Sequence, residues 1–404
     1  MTNNERIQRR IQRDKQRRLK RKLEKQYLYG DFKKTFTMQN FMKALKKCQK
    51  TVSWKGSVQT YSKHAIIKTI RAKNALMKGR LNTTKMIRKM VLYERGKRRE
   101  INAVRIDDRH IQRVLCDEAL LPMIKDSLIY DNGASLEGKG VEFARRRLNV
   151  FLQRAVRKYK DNFYILTFDF KSFFDSIKHS VCLEELNKHF IDKRIVGLSM
   201  KIIKMYCEND AKSIIDESER KVVLDILRRN QGTGLTLGSQ VSQIMALLVP
   251  NRIDHFLKDV CGLKWYIRYM DDGVIIYNDK QQLLQIVKQL EELCNSIGLK
   301  LNVKKTRIVK CTYGFKFMKV HYRIKGRKII KTIDKSGNVR MRRKLKKFQN
   351  LVQKGIMDIE DVYNSMQSRI SHMKIARTYH ARRNLINKYN ILFNGYKIRE
   401  LMAL

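Results

Sequence analysis

The sequence predicts an α+β fold, an antiparallel sheet enclosed by amphipathic helices, on three observations. Residues 265–277 (WYIRYMDDGVIIY) place two β-prone runs around Met270, Asp271, Asp272 and Gly273, and the Asp-Gly step reads as a hairpin tip. Residues 163–170 (FYILTFDF) form an apolar run readable as a buried strand ending at Asp169. Segments such as QQLLQIVKQLEELCNSIG repeat apolar residues at helical spacing.

The 404 residues suffice for a large core divided into two to four subdomains. Lys and Arg outnumber Asp and Glu by 89 to 38, a formal net charge of +51 spread along the whole chain. Such an excess points to a polyanionic partner, nucleic acid first. There is no apolar run of about 18 residues and no signal-peptide core, so no membrane partner is expected. The seven cysteines are scattered and never form CxxC, which argues for a reducing compartment and against a zinc or disulfide framework. With two prolines and no Gly/Ser-rich linker, the subdomains should pack together.

Residues 1–34 form a basic N-terminal extension, either a helix ordered on phosphate backbone or an arm that folds on binding. Ile7, Ile11, Leu19 and Leu23 give it a thin apolar stripe. Residues 35–90 read as two lysine-rich helices joined by a turn at Ser53–Gly56. From Glu100 to Ile106 the pattern alternates like a strand, then turns helical with Asp107 and Asp108 as caps. A glycine loop, Asp131–Gly140, precedes the helical VEFARRRLNVFLQRAVRKY and suits close approach to a nucleic-acid backbone. After FYILTFDF come a turn and a helix, then a glycine-rich turn leading into an apolar helix over 231–249. The hairpin, another helix and the strand LKLNVKKTRIV follow. The last third is helical, with Leu345, Phe348 and Val352 at helical spacing beside a basic run from Arg340 to Lys347.

A buried strand has no structural use for Asp169 unless the carboxylate is neutralised, paired or bound to metal. Two adjacent carboxylates at a hairpin tip repel each other unless a cation intervenes or one protonates. With a third carboxylate, such a pair can hold two Mg²⁺ ions about 4 Å apart for in-line phosphoryl transfer.

In this order the motifs resemble those of reverse transcriptases, specifically the prokaryotic group, over about residues 91–325, with a weaker match through the tail. Tyr269-Met270-Asp271-Asp272 is similar to the YxDD box, and FDFKSFFDSI to the first carboxylate motif. The resemblance implies a right-hand polymerase fold with N-terminal helices and fingers (35–162), a palm carrying the hairpin (163–325) and a helical thumb (326–404). It implies Asp169, Asp271 and Asp272 as ligands of two Mg²⁺, replaceable by Mn²⁺, with Asp169 and Asp271 bridging, Asp272 more peripheral and the Phe170 backbone assisting. Phe174 falls at the steric-gate position, where a ring excludes a 2′-hydroxyl. Lys305, in LKLNVKKT, falls near the leaving pyrophosphate, and Arg99, helped by Lys97, at the dNTP triphosphate. Phe170, Gly238 and Gln243 complete the implied dNTP site.

Two departures from the family pattern stand out. Leu237–Gln243 has the form LGxxxSQ where the retroviral and group II intron pattern is QGxxxSP, and it resembles diversity-generating retroelement enzymes and related bacterial groups, including phage-defence reverse transcriptases. Phe317-Met318-Lys319 replaces FLG at the primer grip. The sequence shows no HNH-type Cys/His cluster and no RNase H acidic set, and is expected to stop short of an integrase. The implied activity is RNA-directed DNA synthesis by a bacterial or phage element in the cytosol, for retroelement or anti-phage cDNA synthesis. Implied partners are an RNA template, a DNA or RNA primer, dNTPs, a dedicated non-coding RNA and an accessory protein. The competing reading is a non-catalytic RNA-binding protein on a polymerase scaffold.

Overall fold

A computed structural model of the protein describes residues 3–80, 88–94, 97–212, 217 and 232–403. In chain order these form α1 (Asn3–Tyr29), α2 (Phe32–Thr35), α3 (Met38–Gln49), α4 (Gly56–Lys63), α5 (Ala65–Met77), the hairpin β1 (Arg88–Glu94) and β2 (Lys97–Ala103), and α6 (Ile106–Leu115). Then come α7 (Leu121–Ile124), α8 (Val141–Tyr159), β3 (Tyr164–Phe168), α9 (Phe173–Ser176), α10 (His179–His189), α11 (Lys193–Lys212), α12 (Gln240–Leu248) and α13 (Asn251–His255). The hairpin β4 (Tyr266–Tyr269) and β5 (Asp272–Tyr277), α14 (Lys280–Ser296) and β6 (Arg307–Lys310) follow. The chain ends in β7 (Phe315–Phe317), β8 (Val320–Lys325), β9 (Lys328–Ile333), α15 (Ser336–Gln353), α16 (Ile359–Met373), α17 (Tyr379–Leu392) and α18 (Ile398–Ala403). This is the mixed helix and antiparallel-sheet composition expected of a right-hand polymerase fold.

The chain divides into two compact units. The first comprises Met1–Gly140, Phe170–Gly262 and Lys288–Asn302; the second comprises Val141–Asp169, Leu263–Val287 and Val303–Leu404. The chain crosses between them repeatedly.

In the first unit, α3 buries Phe41, Ala44, Leu45 and Cys48, spaced i, i+3, i+4, i+7, and Thr37 caps its start by accepting from Asn40 N at 3.3 Å. Leu45 and Cys48 join Val58, Tyr61, Ala65 and Ile106 in one core cluster. Residues 38–77 thus hold three helices where two were expected, because the chain turns again at His64. Strand β2 stops at Ala103, and α6 starts at Ile106 with Arg105 at its N-cap and no side-chain cap. Asp107 and Asp108 therefore lie inside the first turn and act on the helix dipole rather than as caps.

In the second unit, β4, β5, β3 and β6 form a four-stranded antiparallel sheet in that order. Helix α8 presents Ala144, Leu148, Phe151, Leu152 and Ala155 to Ile165, Ile267, Val274 and Ile276 of this sheet. Burying the leucine, isoleucine, valine and phenylalanine side chains among these stabilises by about 1.5–3 kcal/mol each. A second antiparallel sheet, β7-β8-β9, alternates buried Phe315, Phe317, Val320, Tyr322 and Ile324 with outward polar residues. The terminal helices close on a core of Leu345, Val362, Met366, Ile370, Leu385 and Tyr389.

One sequence expectation changes here. LKLNVKKTRIV is a strand only over Arg307–Lys310; before it, Leu301 makes one bridge to Phe170 and the chain turns at residues 303–305. The β8–β9 hairpin turns at Gly326, which takes φ 57°. Among the described residues, no helix is long and apolar enough to cross a membrane.

Candidate active site

Strand β3 runs between β5 and β6, with Phe168 paired to Gly273. Continued by one residue, that register sets Asp169 opposite Asp272. Asp169 is 4% exposed, and its carboxyl is within hydrogen-bond reach of that of Asp272. Lys305 Nζ donates to Asp169 Oδ2 at 2.5 Å, and Thr167 Oγ1 donates to the Lys305 carbonyl at 3.4 Å. The three aspartates and Lys305 all belong to the second unit, and three separate sequence segments supply them.

The hairpin tip differs from the sequence expectation. Tyr269 pairs with Asp272, so the two turn residues are Met270 and Asp271, while Asp272 and Gly273 already belong to β5. Met270 takes φ 52°, a conformation unfavourable for a side chain with a Cβ. Arg268, fully buried on β4, donates from Nη1 to the Met270 carbonyl at 2.9 Å. Gly273 is therefore required for space rather than for a turn: a Cβ there would fall inside the Phe168 ring.

Electrostatics tie the group together. Burial, then the charges of Asp271 and Asp169, push Asp272 up to about 7, while Lys305 opposes the rise. For Lys305, burial works against the charged form, but the hydrogen bond and charge of Asp169, with the fields of Asp272 and Asp271, hold its pKa above the ordinary value. One ammonium thus faces three carboxylates, and the repulsion among them shows in the raised pKa of Asp272. Hard carboxylate oxygens with surplus negative charge suit Mg²⁺. Among the described residues no group of three or more His, Cys, Asp or Glu is arranged as a ready-made metal cage. The fit is therefore one of charge and ligand type, not of preset coordination.

The remaining sequence candidates belong to the first unit. Phe170 is buried and bridged to Leu301, and its ring stacks on Phe173 with centroids 5.4 Å apart. Phe173 is core, whereas Phe174 is half-buried and meets it edge-on, with its carbonyl accepting from Leu235 N at 2.7 Å. Gly238 takes φ 115°, where glycine is needed, one residue before Ser239 caps α12. Gln243 lines a cleft of about 1130 Å³ with Gln240, Arg113, Lys47 and Lys139. Lys97 and Arg99 lie in β2, but their side chains fall outside the described residues.

Sequence reasoning missed Arg268 and Arg145. Arg145 of α8 donates from Nε (3.2 Å) and Nη2 (2.6 Å) to the carbonyl of Met318, in the two-residue turn between β7 and β8. Met318 (φ 46°) and Lys319 (φ 67°) are both left-handed there. The available signal for Arg268 was a charge inside an apolar strand run; for Arg145 there was none.

Residues 85–322, more than half of the chain, match the family described as "Reverse transcriptase (RNA-dependent DNA polymerase)". The "Putative COX1/OXI3 intron 1 protein" of Saccharomyces cerevisiae is 23% identical, over 69% of this chain and 39% of its own length. The chain thus spans about two fifths of that relative. Among solved structures, apo telomerase from Candida tropicalis truncated from the C-terminal domain is 13% identical with a TM-score of 0.43, covering 67% of this chain and 60% of its own. Telomerase from Candida albicans in complex with a TWJ fragment of telomeric RNA is 14% identical with a TM-score of 0.41, covering 84% and 67%.

Proposed function

Because the chain belongs to the reverse transcriptase (RNA-dependent DNA polymerase) family, we propose that it is an RNA-directed DNA polymerase that adds dNTPs to a primer 3′ end. The observation that carries this reading is the meeting of Asp169, Asp272 and Lys305 across β3 and β5, with Asp271 at the adjoining turn. In the reaction the primer 3′-hydroxyl gives up its proton to solvent, its oxygen bonds to the α-phosphorus as the bond to the bridging oxygen breaks, and pyrophosphate leaves. Asp169, Asp271 and Asp272 would hold two Mg²⁺, assisted by the Phe170 carbonyl, and the bound ions would stabilise the charge developing on the phosphates. Lys305, kept protonated by its carboxylate neighbours, supplies positive charge to the leaving pyrophosphate. Arg99 and Lys97 grip the triphosphate, and Gly238 and Gln243 help to seat the nucleotide. Phe174, half-buried beside a buried Phe173, closes the space a 2′-hydroxyl would need.

The biological setting we propose is a bacterial or phage element, with cDNA made in the cytosol for retroelement spread, diversification or anti-phage defence. The LGxxxSQ form at Leu237–Gln243 supports the bacterial or phage origin, whereas the intron protein of Saccharomyces cerevisiae supports only a mobile-element setting. A dedicated non-coding RNA and an accessory protein complete the proposed partners.

Primer extension on an RNA template with Mg²⁺ tests the activity. Asp271→Asn is expected to slow extension by about 10³-fold or more. Equal extension by parent and variant, or none by either, rejects the assignment and leaves an RNA-binding protein on a polymerase scaffold.

A further inference from the structure

Every residue of α1 from Glu5 to Glu24 is exposed, while its last turns are fastened to the first unit. Gln26 accepts from Ile191 N at 3.3 Å and donates to the His189 carbonyl, and Lys25 pairs with Asp126 at 2.7 Å. At 100° per residue, Arg6, Arg9, Arg10, Arg13, Arg17 and Arg21 fall within one arc of about 120° and extend for about 22 Å. Asp14 is the single acid between Arg6 and Arg21, and it lies outside that arc.

Left in water, this arrangement opposes itself. The pairs Arg6–Arg10, Arg9–Arg13, Arg13–Arg17 and Arg17–Arg21 are like charges at i, i+4, each weakening the helix by about 0.2–0.5 kcal/mol. A polyanion laid along the stripe reverses the sign of those terms. We infer that α1 is a docking rod for the phosphate backbone of double-helical RNA. The inference rests on the proposed reading that this chain copies RNA.

Three features of the helix favour that partner. No aromatic residue occurs between Arg6 and Arg21, so the stacking platform that single strands use is missing. A rigid straight row of guanidinium groups suits a regular phosphate array, and an RNA duplex, its major groove too deep and narrow to read, is met mostly through its shape, phosphates and 2′-hydroxyls. Opposite the arginines, only Ile7, Ile11, Leu19 and Leu23 are apolar, interspersed with Gln8, Gln12 and Lys15, a face too thin to enter a bilayer.

The test moves the charges without changing their number. The exchange variant combines Gln8→Arg with Arg9→Gln, Gln12→Arg with Arg13→Gln, and Gln16→Arg with Arg17→Gln, which takes three arginines off the arc at constant composition. Gln and Arg are comparable helix formers and these positions are solvent-exposed, so helicity by circular dichroism should hold. Binding of an RNA duplex of about 20 base pairs at about 0.1 M salt is expected to weaken at least about tenfold. The slope of log affinity against log salt should flatten by about 2–3. Equal duplex binding by parent and exchange variants overturns the stripe. So does stronger binding by the parent to the matching DNA duplex, or binding to vesicles of anionic phospholipid that Ile7→Gln with Ile11→Gln abolishes. Primer extension by the parent on a short single-stranded RNA template tests the underlying reading separately. Its absence removes that reading, whereas unchanged duplex binding removes only the docking rod.

Discussion

Gly273 shows how little room surrounds the site at the scale of single residues. It pairs with Phe168 on one side and Arg268 on the other, and any side chain would enter the Phe168 ring. Gly273→Ala is expected to cost about 1–3 kcal/mol, read as a lowered urea midpoint. The same change in a Phe168→Leu background should cost less, and equal costs would show that the ring is not the obstacle. His110 is the second such residue. It is fully buried, with Nε2 at 2.6 Å from the Phe41 carbonyl and Nδ1 at 2.9 Å from the Tyr61 hydroxyl. The neutral ring satisfies both by donating from Nε2 and accepting at Nδ1. Burial lowers its pKa below the ordinary 6.5, outweighing the bond to Phe41. As pH falls below that ordinary value the unfolded chain takes up the proton first, so this part of the stability is whole at neutral pH and lost on acidification. Thermal melts at about pH 7.5 and about pH 5.5 should therefore differ less for His110→Gln than for the parent.

At the scale of elements, two hairpins of the second unit share one construction. Each has a two-residue turn opening on a methionine at positive φ, Met270 and Met318, and in each an arginine donates to that methionine's carbonyl. Such turns ordinarily take glycine or asparagine, and a left-handed residue with a Cβ costs about 1–2 kcal/mol. In the β7–β8 turn both residues carry that strain, and Arg145 holds it in place. Met318→Asn with Lys319→Gly should stabilise the protein by about 1–2 kcal/mol. Arg145→Lys should cost about 1–3 kcal/mol in the parent and clearly less in the Asn-Gly background. Additive costs in that double-mutant cycle, followed by urea unfolding, would mean that Arg145 does not support the turn.

Across the whole molecule the dominant quantity is the charge of +51. Binding to an RNA template should weaken by about 10³-fold or more between about 50 mM and 200 mM salt, as phosphate contacts give way to released counterions. Fluorescence anisotropy with a labelled template measures this directly. A flat response would separate the basic surface from template binding.

Much of this protein is legible from local pattern. Periods of two and of 3.6 residues place β3, the β4–β5 hairpin, α8 and α12, and they do so because burial of one face is encoded residue by residue. The acidic residue ending an apolar strand, the paired acids at a turn and the cationic excess point to phosphoryl chemistry on nucleic acid without coordinates. Other features have no local signature, since each depends on segments far apart in the chain. The register that sets Asp169 opposite Asp272, the approach of Lys305 to Asp169, the need for glycine at 273 to admit the Phe168 ring, and the arginine behind each strained methionine turn are of this kind. A one-residue slip between β3 and β5 would preserve every sequence motif yet turn the side chains of one strand to the opposite face. Long-range packing alone selects the register that lets these carboxylates meet.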